Sequence, residues 1–91
     1  MTAPVVTVYT TGFCGHCVRV LALLERRGIA FTEVSVEDRP GVREELMAKS
    51  GRRTLPQVYV GERYIGGADE LAAMDRSGEL LRLIQVRNDD G

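Results

Sequence analysis

The strongest constraint in this chain is Cys14-Gly15-His16-Cys17, which holds its only two cysteines and its only histidine. The β-branched and aromatic run from Val5 to Tyr9 precedes it and predicts a buried strand. The stretch from Val18 to Arg27 that follows has helical spacing, with Val20, Leu21 and Leu24 on the side of Cys17. Two thiols at i and i+3, where a strand gives way to a helix, read as a redox site. The first turn of a helix carries unpaired N–H groups and the positive end of its dipole, so a thiolate there is stabilised. A stabilised thiolate is the attacking species in disulfide exchange, and a second thiol can resolve the mixed disulfide. The competing reading is a structural zinc site. A closed site needs four N/S ligands, and this chain offers two sulfurs and a histidine wedged between them. No metal is expected.

The totals bound the rest. Ninety-one residues suffice for one domain with one modest core, and a single domain over 1–91 is expected, with its core at about 5–84 and a tail at 85–91. A net charge of −1 gives no basic surface for nucleic acid or an anionic membrane. Apolar runs fall well short of the roughly 20 residues of a membrane span. Met1-Thr2-Ala3-Pro4 lacks the basic and apolar regions of a secretory signal. One cysteine pair suits a reducing compartment better than an exported scaffold, so a cytoplasmic location is expected; a monomer is the expected state.

Along the chain, Thr10 to Phe13 form the loop that carries Cys14, with Phe13 either packing that loop or offering an apolar patch to substrate. Gly28 stops the first helix, and Phe31 to Val36 alternates as a second strand, parallel to the first through a right-handed crossover. Asp38 and Pro40 predict a helix start, with Val42 and Leu46 on one face, Glu45 and Lys49 paired at i,i+4, and Gly51 at its end. Gln57 to Val60, Gly61-Glu62 and Arg63 to Ile65 predict a hairpin on a type II′ turn. Gly66-Gly67 breaks the strand, Ala68 opens a helix with two acids in its first turn, and Gly78 ends it before a further apolar helical stretch from Glu79 to Ile84. Arg87 to Gly91 predict a frayed end. Val20, Leu21, Leu24, Val58 and Val60 are the predicted core.

Val8-Tyr9-Thr10, the CxxC, Thr54-Leu55-Pro56-Gln57 and Gly66-Gly67-Ala68-Asp69-Glu70 occur in the order and spacing of glutaredoxins, and the chain resembles that family from about Val5 to Ile84. The resemblance implies an α/β thioredoxin fold, a four-stranded mixed sheet in the order 2-1-3-4 flanked by helices. It implies thiol–disulfide exchange with glutathione as co-substrate, acting on disulfide-containing or glutathionylated proteins. In such proteins the equivalent of Pro56 is cis and faces the nucleophile, so Leu55, held extended by the proline, would grip the cysteinyl backbone of glutathione. Thr54 belongs to the same block. Gly67, Ala68 and Asp69 would take the γ-glutamyl carboxylate at a helix start, with the Asp69 side chain on the ammonium. Arg53 or Arg52 would meet the glycyl carboxylate.

Two departures from the family pattern stand out. Thr11 occupies the place where many glutaredoxins carry a lysine, and Gly15-His16 replaces Pro-Tyr with the dipeptide of protein disulfide isomerase sites. An imidazolium at His16 would favour the thiolate of Cys14 and make the couple more oxidising. The departures leave two rivals open. One is a [2Fe–2S] carrier or sensor, in which one cysteine per subunit and glutathione hold a cluster in a dimer. The other is a thioredoxin-like or mycoredoxin-like donor that uses a different thiol partner.

Overall fold

The computed structural model describes residues 5–12 and 14–85; the reading of Phe13 and the frayed end at 87–91 lie outside them. Its elements are β1 (Val6–Thr10), α1 (Gly15–Arg26), β2 (Thr32–Ser35), α2 (Val42–Ser50), β3 (Gln57–Val60), β4 (Arg63–Gly66), α3 (Ala68–Ser77) and α4 (Glu79–Gln85). The four strands form one sheet in the order β2-β1-β3-β4. β1 is parallel to β2, and β3 is antiparallel to both β1 and β4. This is the thioredoxin fold, with the mixed sheet and strand order that the family resemblance implies.

Alternation along β1 divides the interior into two layers. Val6 and Val8 face α1, α3 and α4, where they join Val20, Leu24, Val58, Leu71 and Leu80 in the larger core. The opposite face carries a smaller cluster of Val36, Val42, Leu46 and Tyr59, with Tyr9, Leu55 and Tyr64 packed against it. α2 needs only a narrow apolar stripe, and Val42 and Leu46 at i,i+4 supply it as predicted. In α1 the buried positions are Cys17, Val20, Leu23 and Leu24, while Leu21 is half-buried at the margin.

The structure departs from the sequence pattern in three places, each with a local cause. α2 starts at Val42, not around Asp38 and Pro40. Residues Val36–Asp38 make a 3-10 turn, Arg39 is extended (φ −134°, ψ 101°) as a residue before proline prefers to be, and Gly41 takes φ 86°. Glu45 and Lys49 form no ion pair; the Lys49 ammonium instead lies 6.0 Å from the centroid of the Tyr59 ring. The hairpin is irregular. Tyr59 pairs with Tyr64 but Val58 pairs with Gly66, so Ile65 is an extra residue on β4. The bulge sends Tyr64 to the α2 layer and Ile65 to the larger core.

Gly66 then turns the chain into α3 at φ 134°, and a Cβ placed there would lie 2.4 Å from Glu70 Cβ. Glu70 is held in that position because its carboxylate accepts the Gly67 N–H at 2.9 Å, half of a capping box. Across the helical layer, Arg27 closes α1 against α3 with a two-pronged bond to Asp75 (2.7 and 2.9 Å).

Gly66→Ala is expected to cost about 1–3 kcal/mol through backbone strain alone, and Leu24→Ala about 2–5 kcal/mol through the cavity it leaves. Urea unfolding followed by circular dichroism measures both. A Gly66→Ala protein as stable as wild type would contradict the close approach of Glu70.

Candidate active site

Cys14 is the N-cap of α1. Its backbone is extended (φ −121°, ψ 108°), and its sulfur accepts the N–H of Cys17 at 3.1 Å. That N–H is one of the unpaired donors of the first turn, so the helix begins at Gly15 because a sulfur stands where a serine or aspartate oxygen commonly caps. The two thiols are chemically unequal. Both are free, with Cys14 half-buried and Cys17 only 3% exposed. Burial pushes the Cys17 thiol up to about 11, and its hydrogen bond to Cys14 adds to the shift.

The loop before Cys14 is tied down by Glu37, from the 3-10 turn. One carboxylate oxygen accepts from the Thr11 hydroxyl; the other accepts from the Gly12 N–H at 3.2 Å and the Ser35 hydroxyl at 2.9 Å. The Thr11 hydroxyl bond, first among these, holds the Glu37 carboxyl below its ordinary range. Arg43 from α2 reaches the same cluster, 3.5 Å from Glu37 and 3.4 Å from the Thr11 hydroxyl. A carboxylate and a guanidinium thus meet at the position where lysine is common in the resembling family.

His16 is exposed, and its Nδ1 lies 3.1 Å from a guanidinium nitrogen of Arg19. Arginine only donates, so Nδ1 is the acceptor in this contact. A guanidinium therefore stands beside His16 on the first turns of α1.

A groove of about 190 Å³ runs beside the CxxC, lined by His16, Arg52, Thr54, Leu55, Pro56, Gly67, Ala68, Asp69 and Glu70. Two segments remote in sequence form its walls. The first is the strap before β3, where the Leu55–Pro56 peptide is cis and the Leu55 carbonyl oxygen lies 3.9 Å from Cys14 Sγ. The second is the start of α3. A Cβ on Gly67 would come within 3.0 Å of the Pro56 carbonyl oxygen, so glycine is what lets the two walls meet. The Gly67 N–H is already taken by Glu70, which leaves the first-turn N–H groups at Ala68 and Asp69 to face an anion.

Of the residues singled out in the sequence, His16, Thr54, Leu55, Pro56, Gly67, Ala68 and Asp69 come together along this groove, with Cys14 against Leu55. Arg53 does not line it; Arg52 does, while Arg53 lines a neighbouring hollow with Arg43, Glu44 and Met47. Sequence reasoning gives no role to Glu37 or Arg19, and reads Glu70 only as an acid in the first turn of a helix. Only Glu70 leaves a local signal, an acid three residues after a helix N-cap.

Comparison with known proteins agrees in family and in fold. The sequence model of the glutaredoxin family matches residues 6–65. A glutaredoxin of Pseudomonas aeruginosa is 42% identical over 83 residues, covering 91% of this chain and 99% of that protein. Among solved structures, the holo form of glutaredoxin C1 from Populus tremula x tremuloides superposes with a TM-score of 0.85 at 30% identity, over 96% of this chain and 81% of that one. The buckwheat glutaredoxin–glutathione complex superposes with a TM-score of 0.84 at 27% identity, over 91% and 77% respectively.

The inequality of the thiols sets a pH signature. Reduced protein treated briefly with iodoacetamide at neutral pH is expected to gain one adduct, on Cys14, with Cys17 reacting only as the pH approaches about 11. Folding linkage has the matching sign. Cys17 ionises less readily folded than unfolded, so its contribution to stability is complete below the ordinary thiol range. That contribution falls as pH rises toward about 11. Peptide mapping by mass spectrometry checks the first expectation; equal labelling of both cysteines at pH 7 would refute it.

Proposed function

The chain belongs to the glutaredoxin family and is a thiol–disulfide oxidoreductase, and we propose that it works with glutathione through a Cys14/Cys17 dithiol. The observation that carries this reading is the double placement of Cys14 Sγ. It receives a helix-start N–H at 3.1 Å and stands 3.9 Å from the Leu55 carbonyl at the groove. A sulfur so placed lies at a helix start and beside a backbone edge that can pair with a cysteinyl peptide.

In this mechanism the Cys14 thiolate attacks the disulfide of a glutathionylated protein. The new bond joins Cys14 to the glutathione sulfur, and the protein leaves as a thiolate that takes a proton from solvent. A second glutathione thiolate attacks the glutathione sulfur of that mixed disulfide, releasing oxidised glutathione and restoring Cys14. With a protein disulfide, Cys14 is joined to one substrate sulfur and the other leaves. Cys17 then attacks Cys14, frees the second substrate thiol and closes the Cys14–Cys17 disulfide, which two glutathione molecules reduce. Cys17 gives up its proton during the resolving step, and its raised pKa keeps it protonated until then.

The groove suits the parts of glutathione in turn. The Leu55 backbone takes the cysteinyl unit, and the α3 start at Ala68 and Asp69 takes the γ-glutamyl carboxylate. The Asp69 side chain takes the ammonium, and Arg52, with Arg53 beyond it, the glycyl carboxylate. The buckwheat glutaredoxin–glutathione complex lends support to this reading by its likeness to the chain.

Cys14→Ser is expected to abolish turnover of both a glutathionylated peptide and a protein disulfide. Cys17→Ser should keep the first and lose the second, since deglutathionylation needs only Cys14 and free glutathione. Survival of the Cys14 variant with loss in the Cys17 variant would reverse the two roles. Asp69→Ala should raise KM for glutathione about tenfold, or ~1.4 kcal/mol, with Cys14 alkylation unchanged. An unaltered glutathione titration would remove Asp69 from the site.

A further inference from the structure

Gln57 is a polar side chain in an otherwise apolar strand, 1% exposed, and no buried polar side-chain atom among the described residues lacks a partner. Its amide nitrogen donates to the Arg52 carbonyl at 2.9 Å and the Thr54 carbonyl at 3.1 Å. Its amide oxygen accepts the Tyr59 hydroxyl at 3.0 Å. Two carbonyls accept and never donate, so the NH₂ end must face the strap and the oxygen must face Tyr59. Neither carbonyl is used by the backbone ladder, because the strap lies before β3 and belongs to no strand or helix. The curve of the strap is therefore held by a side chain. At its crest stands Leu55, whose carbonyl oxygen is 3.9 Å from Cys14 Sγ.

We propose that Gln57, with its amide oriented by the Tyr59 hydroxyl, is the positioning residue that fixes the Leu55 backbone at the distance from Cys14 needed to dock a cysteinyl thiol partner. The inference rests on the reading of Cys14 as nucleophile and of Leu55 as the docking edge. The strap has no rigid element of its own, so its backbone would otherwise sample many conformations, and a docked peptide would have to select the productive one. Ordering it beforehand tightens binding without altering the reactivity of the sulfur. Ser50 secures only the far end at Arg52, accepting its N–H at 3.0 Å while its hydroxyl lies 2.9 Å from the Leu46 carbonyl oxygen and 3.4 Å from that of Arg52.

The test uses Gln57→Met, which keeps the length and volume and removes both donors, and Tyr59→Phe, which removes only the hydroxyl that orients the amide. Steady-state kinetics with a glutathionylated peptide give KM and kcat, and iodoacetamide gives the reactivity of Cys14 without docking. Gln57→Met is expected to raise KM for the peptide roughly tenfold, with kcat and the alkylation rate within about twofold of wild type. Tyr59→Phe should give a smaller rise of the same kind. An unchanged KM in a folded variant overturns the proposal. So does a parallel fall of turnover and alkylation, which would make Gln57 a general support of the fold. If Gln57→Met does not fold, the same readings on Tyr59→Phe decide, with an unchanged KM again overturning the proposal.

Backbone ¹⁵N order parameters separate this inference from the reading it rests on. In the folded variants those of Arg53, Thr54 and Leu55 should fall from the rigid range near 0.85 towards or below about 0.6 while β1 stays rigid. That loss is expected even if the wild-type protein proves not to turn over glutathionylated peptide, an outcome that would sink the proposed co-substrate alone. A strap as rigid in the variants as in wild type would sink the positioning role itself.

Discussion

The site depends on one hydrogen bond, from the Cys17 N–H to the Cys14 sulfur at 3.1 Å. A helix must find partners for its first N–H groups, and here the partner is the reactive atom itself. One contact therefore starts the helix and fixes the sulfur at its first turn. The same spacing leaves the second sulfur one turn inward, against the sheet, where low polarity keeps it protonated. The division of labour between two chemically identical side chains follows from which of them lies before the helix and which lies within it.

The groove is made by convergence. β3 lies between β1 and β4 in the sheet, so the strap entering β3 and the turn leaving β4 both arrive at the end of the sheet where β1 delivers the CxxC. The walls then touch at Pro56 and Gly67, with no room for a side chain between them. A strap with no regular structure and a helix start with spare N–H groups are poor supports singly. Together they present hydrogen-bonding groups from two directions to whatever lies along the sulfur.

Much of this was legible in the sequence because its causes are local. A cysteine pair at i,i+3, a proline after an apolar residue, and two glycines before an acidic helix start each announce their backbone by chemistry within a few residues. The strand order followed from the family resemblance, and the parallel pairing of β1 with β2 from the helix between them. What could not be read depends on distance. The partners of Gln57 are set by how the strap folds back, and Glu37 meets Thr11 across 26 positions. The extra residue at Ile65 lies where Tyr64 pairs with Tyr59 and Gly66 with Val58, a register that no pattern within β4 reveals. Pro40 misled for the opposite reason. It is compatible with a helix start, but Gly41 at φ 86° postponed the helix by two residues.

The aromatic cluster on the α2 face has an optical consequence. The chain contains no tryptophan and three tyrosines, and all three stand together, Tyr59 between Tyr9 at 5.5 Å and Tyr64 at 5.4 Å. Its near-ultraviolet absorption and intrinsic emission thus arise almost wholly from one place. The central ring of that place donates its hydroxyl to the amide that holds the strap. The protein's own fluorophores are thus joined, through one amide, to the wall of its groove.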